Sequence, residues 1–262
     1  MGDLGHVNAS GFPLQLGLQH LVQQTQGEHG WHFVSREHPW MNETLGCGGF
    51  IDLIIENQYL TQVMVIECKR VRDTSWIFLD PSKEAKHETV VNSWVRRKEK
   101  ECEFSGWMDL VLKPVSPQAE FCIIPGHDPK SRPMLERTAA ELIDATEALA
   151  TEELNLIGNN IKSLRVYYPV IITTAELKVC NFDSEDIDIK SGELQSKSSY
   201  FSTVPFVRFR KSLSVSPLKD KCFNSIKEID LITERTVFIV NSGSMLDFLK
   251  SMQLDWQASL YL

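Results

Sequence analysis

The stretch "GFIDLIIENQYLTQVMVIECKRV", residues 49 to 71, decides how this chain is read. Two apolar arms flank a short polar turn and alternate as the strands of a β-hairpin do. Three charged residues, Asp52, Glu67 and Lys69, stand among hydrophobic neighbours where burial is expected. Residues that face one another across an antiparallel ladder point to the same side of the sheet. The register that sets Asp52 opposite Glu67 pairs Ile54 with Val65 and Phe50 with Lys69 on that side. It fills the reverse side with Ile51 and Cys68, Leu53 and Ile66, Ile55 and Met64. One face is then wholly apolar, and the other gathers two carboxylates and an ammonium at one end. A slip of one residue would throw Asp52 to the opposite face from Glu67 and Lys69.

Two carboxylates held a few Å apart repel and are costly to desolvate unless a cation neutralises them or both face water. Lys69 is one such cation, in an ion-pair cluster on a half-exposed sheet. A hard divalent ion is another, because Mg²⁺ takes oxygen ligands, usually one or two carboxylates, and keeps waters that become nucleophiles. In that case Asp52 and Glu67 hold the metal, the Cys68 carbonyl is a third ligand, and Lys69 orients or activates the attacking water. The residues alone leave both arrangements open.

A chain of 262 residues suffices for one large α/β domain or a domain with a smaller appendage. With 42% hydrophobic and 24% charged residues it fits no disordered, collagenous or coiled-coil class. No apolar run is long enough to span a membrane, and "MGDLGHVNAS" lacks a signal-peptide profile. The expectation is a cytoplasmic protein with no membrane partner. Six cysteines are spread singly, without zinc-ligand spacing, and read as thiols in a reducing compartment. The net charge of -8 argues against a broad electrostatic grip on nucleic acid. Yet residues 69 to 100 carry nine Lys or Arg against five acids, and "VRFRK" (207–211) is a second basic stretch. Arg70, Arg72, Arg96, Arg97, Arg208 and Arg210 are therefore the candidate nucleic-acid contacts.

Residues 14–26 have leucines at helical spacing, and the glycines of "GEHGW" end that helix. "WHFVSRE" reads as a strand, "LGCGG" (45–49) as a loop, and "EFCIIPG" (120–126) as a buried strand. The clearest helix runs from a Ser131 cap, with Leu135, Ala139, Leu142, Thr146 and Leu149 along one face. Further strands lie in "RVYYPVIITTAELKVCNF", "VPFVRFRK" and "RTVFIVN", and 183–199 is polar enough to be a mobile excursion. Alternating strands and helices give an α/β class, with a central mixed sheet flanked by helices. Residues 1–160 form the expected core. Residues 161–262 form a C-terminal α/β portion packed on the same sheet.

"GFID" followed by "IECK" resembles the motif of the PD-(D/E)XK, or restriction-endonuclease-like, nuclease superfamily. That motif is an Asp ending one strand, then Asp or Glu, any residue and Lys on the next; Ile51 stands at the position of the Pro that names it. The order helix, strand, hairpin, strand, helix is similar to that fold's core. The triplet of acid, any residue and Lys also occurs at Glu84, Asp128, Glu176 and Asp188, but only Glu67 lies late in an apolar strand preceded by an Asp-bearing one. The resemblance implies a Mg²⁺- or Mn²⁺-dependent nuclease cutting DNA, with RNA left open because the motif reads phosphate and metal. It further implies a prokaryotic defence or restriction effector working as a homo-oligomer or with a partner protein. Many members add an acid from the first helix, where this chain offers only glutamines and His20; Glu28 just after the helix and Glu37 on the first strand are the substitutes, and Glu37 is the one expected. The alternative is a non-catalytic nucleic-acid-binding or assembly subunit of the same fold.

Three other features have blander accounts. "GEHGWH" places His29 and His32 in a glycine-rich turn. "PGHDPKSRP" is a helix start of the kind that attracts anions, and a capped, solvated turn is the expected account. Trp76, Trp94 and Trp107 suit a core better than a base-stacking surface. No P-loop, GxSxG or GxGxxG pattern is present.

Overall fold

The computed structural model describes residues 2–43, 46–72, 74–81, 87–99, 102–126, 133–157, 164–194, 199–213 and 225–261. Helices α1 (Asp3–Ala9) and α2 (Phe12–His29) lead into strands β1 (Trp31–Asn42), β2 (Cys47–Asn57) and β3 (Gln62–Lys69). Strands β4 (Ser75–Asp80), β5 (His87–Glu99), β6 (Cys102–Ala119) and β7 (Phe121–Ile123) precede helix α3 (Met134–Ile157). Then come β8 (Leu164–Thr173), β9 (Glu176–Asn181), β10 (Ile187–Asp188), β11 (Glu193–Leu194), β12 (Tyr200–Thr203) and β13 (Phe206–Ser212). Helix α4 (Ile226–Thr233), β14 (Glu234–Asn241), α5 (Met245–Ser251), β15 (Gln253–Asp255) and α6 (Trp256–Ser259) complete the mixed α/β chain.

Alternation sets the hairpin. Strands β2 and β3 pair antiparallel through Leu53↔Ile66, Ile54↔Val65, Ile55↔Met64 and Glu56↔Val63, the register that the two-residue period dictates. Strand β1 lies antiparallel on the other edge of β2, while β8 joins β3 in parallel after the α3 crossover. The sheet continues β1-β2-β3-β8-β14-β13-β6-β15, and β5 pairs with both β6 and β8. Strands β8, β14, β13, β6 and β5 thus close a five-strand ring. Strand β14 takes the second half of β8 at Val170–Thr173 and β5 the first half at Leu164–Tyr167. Residues 164–173 are therefore the seam between the hairpin sheet and the ring, with neighbours on both sides; Val166 to Ile172 reads as an unbroken apolar run for that reason. A smaller sheet, β12-β9-β4-β7, lies apart from this path.

Two buried clusters cover the two faces of the hairpin sheet. Leu135, Ala139, Leu142 and Leu149 of α3 pack with Ile54, Val63, Val65 and Ile171. Leu18 and Val22 of α2, with Phe248 and Leu249 of α5, pack with Leu53, Ile55, Met64 and Ile66. Each fully buried leucine contributes about 1.5–3 kcal/mol, so the hairpin is clamped from both sides. At Ile51 the alternation breaks: Ile51 joins the α3-side cluster although Leu53, two residues on, belongs to the other. The expected placement of Ile51 beside Leu53 is thereby corrected, because the β2–β3 ladder ends at Leu53↔Ile66 and frees the chain to turn.

Other boundaries move as well. Strand β2 begins at Cys47, inside the stretch read as a Gly-rich loop. A Cβ on Gly48 would stand 2.7 Å from the Trp40 carbonyl oxygen, so glycine is what lets β1 approach there. Helix α2 runs through Gly27 to His29 and stops at Gly30, which adopts a left-handed φ of 71°. His29 Nδ1 accepts the Trp31 backbone N–H, a capping role. Strand β7 has only three residues, and Phe121 and Ile123 are exposed, because it is the edge of the small sheet and not the buried strand expected over 120–126. Of the polar excursion 183–199, the two-residue strands β10 and β11 form a hairpin. The helix start and Ser131 cap expected over 127–132 lie outside the described residues. Trp76 is fully buried, and Trp94 and Trp107 pack edge to face in the α3-side core. Among the described residues no helix is long and apolar enough to cross a membrane.

Candidate functional site

The ladder that ends at Leu53↔Ile66 leaves the next residues free for side-chain work. Asp52 Oδ2 accepts the backbone N–H of Cys68 at 2.6 Å, so a carboxylate fills the gap where the two strands part. Glu67 and Lys69 follow β3's period of two on the face that packs under α3, and Lys69 Nζ donates to Glu67 Oε1 at 2.5 Å. The parallel ladder to β8 holds both backbones, through Glu67↔Ile171 and Lys69↔Thr173. Asp52, Glu67 and Lys69 are thus brought together at one end of β2 and β3.

Glu37 joins them from β1. A bulge between Phe33 and Ser35 shifts the register, so that Arg36↔Leu53 and His38↔Ile51 bracket Glu37 opposite Asp52. Glu37 has a φ of 50°, in the left-handed region that a residue with a Cβ adopts at a cost of about 1 kcal/mol or more. Three carboxylates therefore stand across three neighbouring strands, whose spacing is about 4.8 Å.

The residue that sequence reasoning left without a role is Gln15. Helix α2 buries Gln15, Leu18 and Val22, one face of the helix, and Gln15 is the polar member of that stripe at 6% exposure. Its Nε2 donates to Glu37 Oε1 at 2.5 Å, and its side chain also hydrogen-bonds Asp52. A neutral amide thus bridges two like charges. The available signal was a glutamine at a position where helical spacing calls for an apolar residue.

Burial pushes the Asp52 carboxyl above its usual range; the Cys68 N–H, Lys69 and Gln15 pull the other way, and the Glu37 charge adds to the rise. Burial also raises Glu67, helped by the charge of Asp52 and of Glu141 on α3, against the pull of Lys69. On the same helix Asp144 is pushed up to about 6 by burial and by Glu147 and Glu141. The Cys68 thiol is buried and pushed far up, so it stays protonated, and Cys68 serves Asp52 through its backbone. The arrangement is an electron-rich, oxygen-only cluster with too little positive charge to keep it ionised comfortably, a donor set suited to a hard cation. Among the described residues, no three His, Cys, Asp or Glu side chains converge to enclose a metal ion. Asp52 is turned to Cys68, Glu67 to Lys69 and Glu37 to Gln15.

The basic candidates divide. Arg70 is half-buried and Arg72 exposed, next along the chain from Lys69. Arg96 is 3% exposed and bound to Glu103, and Arg208 is fully buried, so neither presents its guanidinium to a nucleic-acid backbone. Arg208 instead donates to Ser116 Oγ and to the carbonyls of Leu112 and Pro114 on β6. The alternation of "VRFRK" misleads because β13 is a strand of the closed ring, and Val207, Arg208 and Phe209 are buried on both of its faces. Arg210 is held between Asp109 and Glu234, and Arg97 stacks over the Trp256 ring at 5.6 Å.

Comparison with protein-family models, with curated proteins and with solved structures finds no match to this chain.

If the Gln15 amide keeps Asp52 ionised, a Gln15→Leu protein will show it in its pH dependence. Loss of a donor to the carboxylate raises an already raised pKa. A group raised in the folded state adds stability below its unfolded value, about 4, and loses that stability as pH climbs through the folded value. Between pH 5 and pH 8 the melting temperature of Gln15→Leu should therefore fall more steeply than that of the wild type, by the equivalent of about 1 kcal/mol. Parallel curves would reduce Gln15 to packing.

Proposed function

We propose that the chain is a metal-dependent nuclease of the PD-(D/E)XK kind, hydrolysing phosphodiester bonds in DNA. The observation that carries this is the meeting of Asp52, Glu67 and Lys69 at the parting ends of β2 and β3, with Glu37 opposite Asp52. The setting agrees: an antiparallel β1-β2-β3 meander with β8 parallel to β3 and α3 between them. Asp52 and Glu67 would hold Mg²⁺ or Mn²⁺, with Glu37 at the rim. The ion, when bound, polarises the phosphate and lowers the pKa of a bound water.

The protein's own contributions are positional. The Cys68 N–H fixes Asp52, so one carboxylate is set before any substrate arrives. Lys69 supplies a mobile ammonium beside the acids, placed to orient the water or to offset charge on the scissile phosphate. Arg70 and Arg72 are the basic residues nearest in sequence that remain open to a DNA backbone. Arg210 and Arg97, already engaged, hold the fold.

Incubation of plasmid DNA with the purified protein in Mg²⁺, Mn²⁺ or EDTA, beside the Lys69→Ala protein, tests this. Metal-dependent cutting by the wild type, reduced about a hundredfold or more in Lys69→Ala, is the expected result. Absence of cutting in either metal, or equal cutting by Lys69→Ala, would overturn it and favour a non-catalytic binding subunit built on the same ion-pair cluster.

A further inference from the structure

We propose that Lys69 and the divalent ion compete for Glu67, so that ion binding releases the Lys69 ammonium toward the substrate. This rests on the nuclease reading above and adds an order of events to it.

The two acids of the hairpin are held differently. Asp52 is anchored by a backbone N–H, part of the strand itself. Among the described residues, Glu67 is held by one side chain, that of Lys69, at 2.5 Å. Lys69 follows Glu67 by two positions on the same face of β3, about 7 Å along the strand, and its four-carbon stem folds back to reach it. The side chains of Lys69 and Glu67 are 31% and 22% exposed, so water screens the pair only in part.

A doubly charged ion that shares the Glu67 carboxylate with an ammonium repels it across a few Å in a partly buried setting. The stronger cation for two adjacent carboxylates is the divalent one, since it carries twice the charge of the ammonium, and Asp52 and Glu67 are the residues that would hold it. Glu67 then turns from Lys69 to the ion, and Lys69 is freed while its backbone stays fixed by the ladder to Thr173. Asp52 is the preset ligand, Glu67 the exchangeable one and Lys69 the group whose availability reports that the ion is in place. No bond is made or broken covalently in this step; one ion pair is exchanged for another.

Such exchange is reciprocal: whatever removes the Lys69 charge must tighten ion binding by the factor with which the ion loosens Lys69. Titration of MnCl₂ into wild-type, Lys69→Met, Lys69→Arg and Asp52→Asn proteins, followed by calorimetry and by thermal melting, measures this. Expected is Mn²⁺ binding at least about tenfold tighter in Lys69→Met than in the wild type, together with loss of plasmid cutting. Lys69→Arg, which keeps a cation on Glu67, should stay within about threefold of the wild type. Equal or weaker Mn²⁺ binding by Lys69→Met, with binding abolished in Asp52→Asn, would overturn the competition and leave the metal site standing. Binding unaffected by Asp52→Asn, or no binding to the wild type, would overturn both.

Discussion

An Asp52→Asn protein is expected to lose phosphodiester cleavage by about a thousandfold or more and yet to melt a few degrees higher than the wild type at pH 8. The loss follows from chemistry: an amide oxygen is a neutral and weaker ligand for a hard divalent ion than a carboxylate. The gain follows from the cluster. Asp52 is half-buried beside Glu37 and near Glu67, and its carboxyl is raised for that reason. Asparagine keeps an oxygen for the Cys68 N–H, removes a charge that burial penalises, and relieves the repulsion from both neighbours.

The pH dependence gives the sign a second check. A carboxyl whose folded pKa lies above its unfolded value, here 3.8, favours the native state only while it is protonated. That contribution is complete below about pH 4 and disappears as pH rises through the folded value, so the ionised wild type is penalised at pH 8. The advantage of Asp52→Asn should therefore be about 1 kcal/mol at pH 8, or roughly 2–4 °C, and should vanish toward pH 4. Calorimetric melts of both proteins at pH 4, 6 and 8 in EDTA measure it. An Asp52→Asn protein less stable than wild type at every pH would mean that the carboxylate is structural, and the case for a strained metal-binding acid would fail.

How far the sequence carries this is visible residue by residue. The β2–β3 register was legible because both faces of the hairpin had constraints: apolar residues on each, and charge at one end of one of them. A two-residue period cannot be slipped without burying Asp52 on the wrong side. The α3 face was legible for the same reason at period 3.6, and Leu135, Ala139, Leu142, Thr146 and Leu149 are all buried. Gln15 was not, since a glutamine in a helix is ordinarily a solvated residue, and its burial depends on how α2 crosses β1 and β2. Glu37's place opposite Asp52 depends on a bulge that moves the register by one, and no propensity marks it. The ring closed by β5 on β8 brings together segments about seventy residues apart, outside the range of periodicity. Arg96 and Arg208 were read as surface because basic residues usually are. Both are buried, Arg96 on the α3-side face of the ring strands and Arg208 on the other.

That ring makes Arg208 a position where a single substitution should cost several tenths of the fold's marginal stability. Its guanidinium is fully buried, three of its N–H groups meet neutral oxygens of Ser116, Leu112 and Pro114, and its Nε has no partner among the described residues. Among the described residues no carboxylate bonds to it, although the Glu88 charge acts from a distance, and burial lowers its pKa to about 10, so it stays charged at neutral pH. The side chain ties β13 to the stretch of β6 around Pro114, which has no N–H for a ladder. Two effects oppose each other in Arg208→Met. Removing an uncompensated charge returns several kcal/mol of desolvation. Losing three hydrogen bonds from a charged donor costs about 1.5–3 kcal/mol each and leaves buried acceptors unmet. The second is larger, so Arg208→Met should lose about 2–4 kcal/mol, and Arg208→Lys, which can reach fewer acceptors, part of that. Urea unfolding of the three proteins at pH 7 measures the difference. An Arg208→Met protein as stable as wild type would mean that the buried charge costs as much as its bonds return, and that packing alone holds the ring at β6.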